Sequence, residues 1–378
     1  LEQAIGALVI ALVLLDVFAT VLYARTGTSV LSIPVSKLVR RVFYLASKPF
    51  GRRRGTVMSF CGPVVLVLLV LMWDFGLTLG AALVIHPALG TSVINPSGTT
   101  PTDFTAALQA GGNSTSIVGS GDFSPQTGTF RLFYIFASLT GTAIVSLTLT
   151  YLMQVYSALR SRNSTALNFH LASAETGDAA ELVAGLGARG KFDSGHSNLS
   201  ELAVKVTEAK EANHFYPVLF YFRFSEPHYA VSRFALVALD SVTLIKSALD
   251  DEKYEWLKES ASVAQLWRAS MLMLNNLTAN FLSGEMGEKQ PDDETRERWR
   301  RRYQAALQRF RQAGIETIAD ETAGFEIYVS LRAEWDDLIA SLAPLLAYET
   351  EEIDVAGSRL ESAAGRQDFS ARSHSPGD

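Results

Sequence analysis

Three stretches of the chain are apolar with hardly a break: residues 1–24 (LEQAIGALVIALVLLDVFATVLYA), 57–85 (VMSFCGPVVLVLLVLMWDFGLTLGAALVI) and 130–156 (FRLFYIFASLTGTAIVSLTLTYLMQVY). Each exceeds the roughly 20 residues of helix needed to cross about 30 Å of hydrocarbon. The pattern therefore predicts three transmembrane helices. The first is read as an anchor, because its apolar run is too long for a secretory leader and neither a basic lead-in nor a small-residue cleavage site accompanies it. After about residue 160 the apolar positions thin to a helical period. They predict helices over Ser197–Ala212, His228–Leu249, Tyr254–Leu282, Pro291–Ala313 and Glu316–Leu346. The aromatic run HFYPVLFYFRF (214–224) predicts a buried connector or a short strand. The Gly-, Ser- and Ala-rich chain from Val355 onward predicts disorder.

Composition fits this division, since 48% of the 378 residues are hydrophobic and only 19% charged, with a positive mean hydropathy that is high for a soluble enzyme of this length. Charge then sets an orientation. Between the first two spans lie Arg25, Lys37, Arg40, Arg41, Lys48, Arg52, Arg53 and Arg54 with no acidic residue among them. A short loop with that bias stays in the cytoplasm, so the N-terminus is expected outside and the second span runs outward. The third span returns inward, where Arg160 and Arg162 agree with it. Within the basic loop, Pro34–Phe50 predicts an amphipathic helix on the inner leaflet, with Lys37, Arg41 and Lys48 on one side and Leu38, Val42, Leu45 and Ala46 on the other. Anionic lipids are its expected partners. Residues 166–378 carry 22 basic and 34 acidic residues, which argues against nucleic acid as a partner.

The segment between the second and third spans has an order of its own. Residues 101–114 (PTDFTAALQAGGNS) predict a short helix with Pro101 at its start, Asp103 in its first turn and glycines near its end. A half-helix of that length cannot cross a bilayer. It can dip in from outside with the partial negative charge of its C-terminus aimed at the membrane centre, which favours a cation there. The stretch SIVGSGDFSP (116–125) follows, with two glycines that permit backbone conformations closed to other residues. Backbone that is neither helix nor strand is tolerated at membrane depth only where protein buries it or where it lines a watery path. Read alone, the same stretch is also a flexible extracellular turn.

The order of outer helix, short dipping helix, glycine-rich loop and inner helix, over roughly residues 57–160, resembles the potassium-channel pore-loop family. That family's loop reads Thr-Thr-Val-Gly-Tyr-Gly-Asp, and the matching residues are Ser116, Ile117, Val118, Gly119, Ser120, Gly121 and Asp122. The resemblance implies that the carbonyl oxygens of Ser116 to Gly121 replace an ion's hydration shell. It also implies a symmetric tetramer, since one loop cannot enclose a path. Two departures bear on selectivity. Ile117 stands where the family has a threonine hydroxyl at the innermost ion site, and Ser120 stands where it has a bracing tyrosine. Cation conduction carries over, while strict potassium selectivity does not. Asp122 has two readings, a fourfold acidic ring at the outer mouth or a bond that holds the loop from behind, as the family's aspartate does.

Further candidates lie within the spans. Ser138, Thr142, Ser146 and Thr150 recur every four residues along the third span, which suits either the lining of an aqueous cavity or hydrogen bonding within and between packed helices. Gly141 is either a hinge of the inner helix or a small residue at a helix contact. Asp16 and Asp74 are costly in lipid, and so each is either a proton or cation site or a polar contact between the first two helices. The single cysteine, Cys61, excludes an intrachain disulfide and a thiolate zinc site.

Several apparent motifs carry nothing. GLGARG (185–190) follows a helical pattern and precedes a non-helical one, the reverse of a dinucleotide fingerprint, and its glycines are read as a helix stop. ETEEID (349–354) lacks the alternating ligands and the glycine of a calcium loop and reads as a solvated acidic run. Histidines 170, 196, 214 and 228 have no ligand spacing. No nucleophile, base and orienting group form a recognisable set, so neither enzymatic activity nor a cofactor is expected.

The sequence thus predicts an all-α membrane protein of the plasma membrane. Its parts are a first transmembrane helix (1–24), a basic cytoplasmic loop (25–56), a pore domain (57–160), a helical cytoplasmic domain (161–354) and a tail (355–378). The expected function is a homotetrameric cation channel that conducts potassium, with sodium left open. The alternative is a non-conducting membrane sensor or scaffold whose helical cytoplasmic domain binds a partner.

Overall fold

The computed structural model describes residues 1–23, 29–116, 119, 121–282 and 291–358. The fold is nearly all helical; among the described residues the one sheet is a pair of two-residue strands. The chain divides into two compact units, one made of residues 1–43, 61–157 and 215–221 and the other of residues 44–60, 158–214 and 222–378.

In the first unit, α1 (Glu2–Val17) continues into a π-helical turn over Phe18–Leu22, and α2 (Ser32–Ser47) follows. After the short α3 (Arg54–Ser59), which belongs to the second unit, come α4 (Cys61–Ile85), α5 (Phe104–Thr115) and α6 (Gly128–Ala172). Three helical stretches, Glu2–Leu22, Arg54–Ala88 and Gly128–Ala172, are long and apolar enough to cross a membrane. They coincide with the three expected spans. The first two meet through small residues, for a Cβ on Gly6 would lie 2.6 Å from the Gly80 carbonyl oxygen. Trp73, Leu77, Val13, Val17 and Ile144 fill the space beside that crossing.

Some boundaries differ from the sequence expectation. The amphipathic helix begins at Ser32 and gives way at Lys48 to a 3-10 segment, Lys48–Arg53, where Pro49 and Gly51 (φ +48°) end the α-helical path. Asp103 is the residue before α5 and not part of its first turn, because its backbone is extended. The helix that carries the third span does not stop near 156 but runs on without a break to Ala172, and its segment Ala158–Ala172 belongs to the second unit.

The second unit packs around α9 (Val231–Ala248), preceded by α7 (Ala179–Leu186) and α8 (Asp193–Phe215). The helix stop read in GLGARG is observed, since Gly187 is the C-cap of α7. Residues 214–224 form no strand. Pro217 opens a buried 3-10 turn, Pro217–Tyr221, and has no N–H to offer a ladder. The two longest expected helices are each broken by a capping side chain. Ser260, whose hydroxyl accepts from the Val263 amide, separates α10 (Asp251–Lys258) from α11 (Ala261–Phe281). After α12 (Asp293–Gln312), the Asp320 carboxylate accepts from the amides of Thr322 and Ala323, so α13 (Glu321–Ala333) starts there instead of at Glu316. The rest of that stretch is α14 (Asp336–Leu342) and a 3-10 turn, Ala343–Leu346.

The acidic run 349–354 is only partly solvated. It forms α15 (Thr350–Ile353), and Asp354 is drawn into the interior by Arg302 (3.0 Å) and Arg332 (3.2 Å). Disorder does not begin at Val355, since residues 355–358 are helical and the Gly357 amide donates to Asp354. The expectation for 359–378, like Arg25, falls outside the described residues.

Candidate functional site

The segment between α4 and α6 is held by close backbone approaches. A Cβ on Gly111 of α5 would lie 2.6 Å from the Thr78 carbonyl oxygen and 2.7 Å from the Ala82 nitrogen, so a side chain there would push α5 off α4. Ala106, Ala107 and Ala110 are small enough to be buried in the same seam, beside Ala82, Ile85 and Phe123. On the other side a Cβ on Gly141 would overlap the Thr115 carbonyl. Gly141 therefore lets α6 touch the last residue of α5, which is the helix-contact reading of that residue.

Helix α5 stops cleanly. The Ser116 amide donates to Gly112 O at 2.9 Å, and Ser116 itself is extended at φ −80°, ψ 145°. Thr115 and Ser114 turn their hydroxyls back to the Gly111 carbonyl. Gly119 (φ +49°) and Gly121 (φ +72°) both sit in the left-handed region, where a side chain would be strained. Ile117, Val118 and Ser120 lie outside the described residues. Asp122 accepts a hydrogen bond from Gln109 Nε2 of α5 at 3.0 Å, which ties the chain after the glycines back to the short helix. Beyond it a two-residue ladder pairs β1 (Val93–Ile94) with β2 (Ser124–Pro125), and the Gln126 amide donates to Ser92 O.

Along α6, Thr142, Ser146 and Thr150 are exposed and Ser138 is half-buried. Thr142 donates to the Ser138 carbonyl (2.9 Å) and Thr150 to the Ser146 carbonyl (3.0 Å), so two of the four hydroxyls are spent within the helix. The stripe remains open to a cavity or to another copy of the chain.

The two intramembrane carboxylates have different surroundings. Asp16 is completely buried. Its Oδ1 accepts from the amides of Leu31 (2.7 Å) and Ser32 (3.2 Å), and its Oδ2 from the Ser32 hydroxyl (2.5 Å) and Trp73 Nε1 (2.9 Å). One side chain of α1 thus caps α2 and bonds α4, the polar-contact reading in an extended form. Asp74 is exposed on α4 beside Leu71 and Phe75 and has no hydrogen bond among the described residues. On α2, Leu38, Val42 and Leu45 are exposed apolar residues while Val39 and Ser36 are buried, which leaves an uncovered apolar face next to Lys37 and Arg41.

Trp73, Gln109 and Gly111 carry contacts that the sequence reading did not single out. For Trp73 the only available cue was its neighbour Asp74, and the residue that it binds is Asp16. Among the described residues no group of three or more His, Cys, Asp or Glu side chains could hold a metal ion.

No family model matches the chain, and no solved structure matches it. The uncharacterized membrane protein YdjJ of Bacillus subtilis (strain 168) is 22% identical over 161 residues, which is 43% of this chain. The match spans 46% of that relative's length, so about half of it has no counterpart in the aligned region. The likeness supports membrane residence and carries no activity with it.

Proposed function

We propose that the protein is a homotetrameric cation channel of the plasma membrane. Potassium is the main permeant ion and sodium is also carried. The observation that supports this reading best is the twelve-residue α5, too short to cross, lodged against α4 and α6 and followed by two left-handed glycines. With four copies around an axis, carbonyl oxygens of Ser116 to Gly121 take the place of the ion's water. Asp122, bonded to Gln109, braces that loop from behind. The hydroxyl stripe of Ser138, Thr142, Ser146 and Thr150 lines the approach on the inner side. The N-terminus is outside, the second unit is cytoplasmic, and α2 rests its apolar face on the inner leaflet among anionic lipids. No cofactor and no catalysis enter this reading.

Purified protein in liposomes tests it. A potassium gradient is expected to drive flux, and the reversal potential in opposed potassium and sodium solutions ranks the two ions. Gly119→Asp is expected to abolish flux while leaving assembly intact. Retained current would remove the assigned filter, and silence of the unaltered protein would favour a sensor or scaffold.

A further inference from the structure

The inner end of α6 meets the turn that leads into α9 through two histidines. Helix α6 has 45 residues, about 67 Å at 1.5 Å per residue, more than twice the hydrocarbon thickness. His170, in its last turn, therefore lies well beyond any span that begins near Gly128. The ring of His170 stacks on that of His228, with centroids 4.5 Å apart and planes parallel. His228 belongs to the 3-10 turn Pro227–Tyr229 and also packs on Tyr229 at 4.2 Å. We propose that this stacked pair is a proton-operated catch, closed while both rings are neutral and released when both are protonated, freeing the end of α6 from the α9 entry turn.

The surroundings favour that behaviour. Nδ1 of His170 is buried without a hydrogen-bond partner among the described residues, so no hydrogen bond at that atom favours the imidazolium. From α9, Arg233 reaches the Thr176 carbonyl (3.4 Å) and the Glu352 carbonyl (3.2 Å), placing a fixed positive charge beside both rings. The nearby acids are largely engaged. Glu226 accepts from Ser225 (2.8 Å); Glu352 of α15, which packs on the same turn, caps its own helix and lies 3.7 Å from Arg223. Glu351 of α15, Glu349 at its N-cap and Glu175 after α6 are further acids on the elements around the pair, and Glu175 works against burial and Arg233 at His170. Burial first, then Arg233, holds the His228 imidazole below its ordinary value, with Glu226 opposing. The closed form is therefore favoured above the free imidazole range and lost as pH falls through it.

A second observation points the same way. The chain just beyond α6 holds two non-glycine residues in the left-handed region, Ala174 (φ +51°) and Glu175 (φ +62°), followed by Gly177 (φ +70°). Such conformations persist only where the neighbours enforce them. Letting go of the catch lets this turn relax.

Hydrogen exchange on the whole 378-residue chain in lipid nanodiscs tests the inference without reference to conduction. After correction for the intrinsic pH dependence of exchange, amides of 168–178 and 226–233 are expected to lose at least tenfold protection between pH 7.5 and pH 5.5. In His228→Phe, which keeps an aromatic ring and removes the charge, protection is expected to stay high at both pH values. His170→Gln/His228→Gln tests the charge without the stack and is expected to show no pH step. Equal protection at both pH values in the unaltered protein, or the same step in the double variant, would overturn the catch. Liposome flux has no part in either result, so a failed channel reading and a failed catch are separable.

Discussion

Among the described residues each unit buries one carboxylate completely and satisfies it with four donors, but the donors differ in kind. In the membrane unit, Asp16 receives two amides, a hydroxyl and an indole N–H, all neutral. In the second unit, Asp240 of α9 receives two N–H groups of Arg302, one of Arg332, and the Tyr328 hydroxyl at 2.8 Å. Arg302 and Arg332 are bridged again by Asp354, so two acids and two bases close a ring. Where two helices and a helix start converge, neutral dipoles suffice to hold a carboxylate. Where four helical segments converge, the chain uses ion pairs, which cost desolvation and in return fix which segments meet.

The comparison can be broken most severely in the second unit. Arg332→Met leaves Asp240 and Asp354 each short of a buried partner, and a loss of about 3–5 kcal/mol is expected. Chemical unfolding of the detergent-solubilised chain, read by exchange in α9, checks it. Asp16→Ala should come next, with a total loss of roughly 2–3 kcal/mol for the buried donors left bare. Asp16→Asn should lose less, since one oxygen remains to accept. A thermal unfolding series in one detergent separates the two variants. Gly141→Ala, which drives a methyl into the Thr115 carbonyl, should cost about 1–3 kcal/mol by overpacking. Its effect should appear as faster exchange at the end of α5.

Acid sharpens the contrast further. Burial raises the Asp354 carboxyl, but Arg302 and Arg332 outweigh it and hold the group at about 2. Its folded value lies below its unfolded one, so its contribution is complete above about pH 4 and is lost as pH falls from there toward 2. A pH titration of α13 and α15 exchange should show that window. Arg332→Met should raise the acid end of that window and shrink the loss across it. The smallest effect is expected at the rim. Gln109→Ala removes one exposed bond to Asp122 and should change stability by less than about 1 kcal/mol, while altering flux if the loop is braced as proposed.

Much of the membrane unit was legible because apolar length is a coarse signal. The 3-10 and π-helical turns and the late end of α6 were not, since Thr165 and Asn168 look like loop residues until their side chains are seen donating to the Ser161 and Lys205 carbonyls and to the Ser164 carbonyl respectively. In the second unit helices were foreseen but their breaks were not. Ser260 and Asp320 read as ordinary helix-surface residues when only the apolar period is followed. The Asp240 network was hidden for a different reason. Its members are spread from 240 to 354 in sequence, and a lone acid in RFALVALDSVTLIKSAL signals a partner without naming it. At the candidate site the positive-φ need of Gly119 and Gly121 was foreseen, whereas the role of Gly111 depends on how near α4 comes.

Asp16 grips the start of α2 largely through main-chain amides, and every amino acid except proline supplies an identical handle. The wording at position 31 can therefore drift freely while the joint persists. A proline at 31 or 32 would undo it even though no charged or catalytic group had been touched.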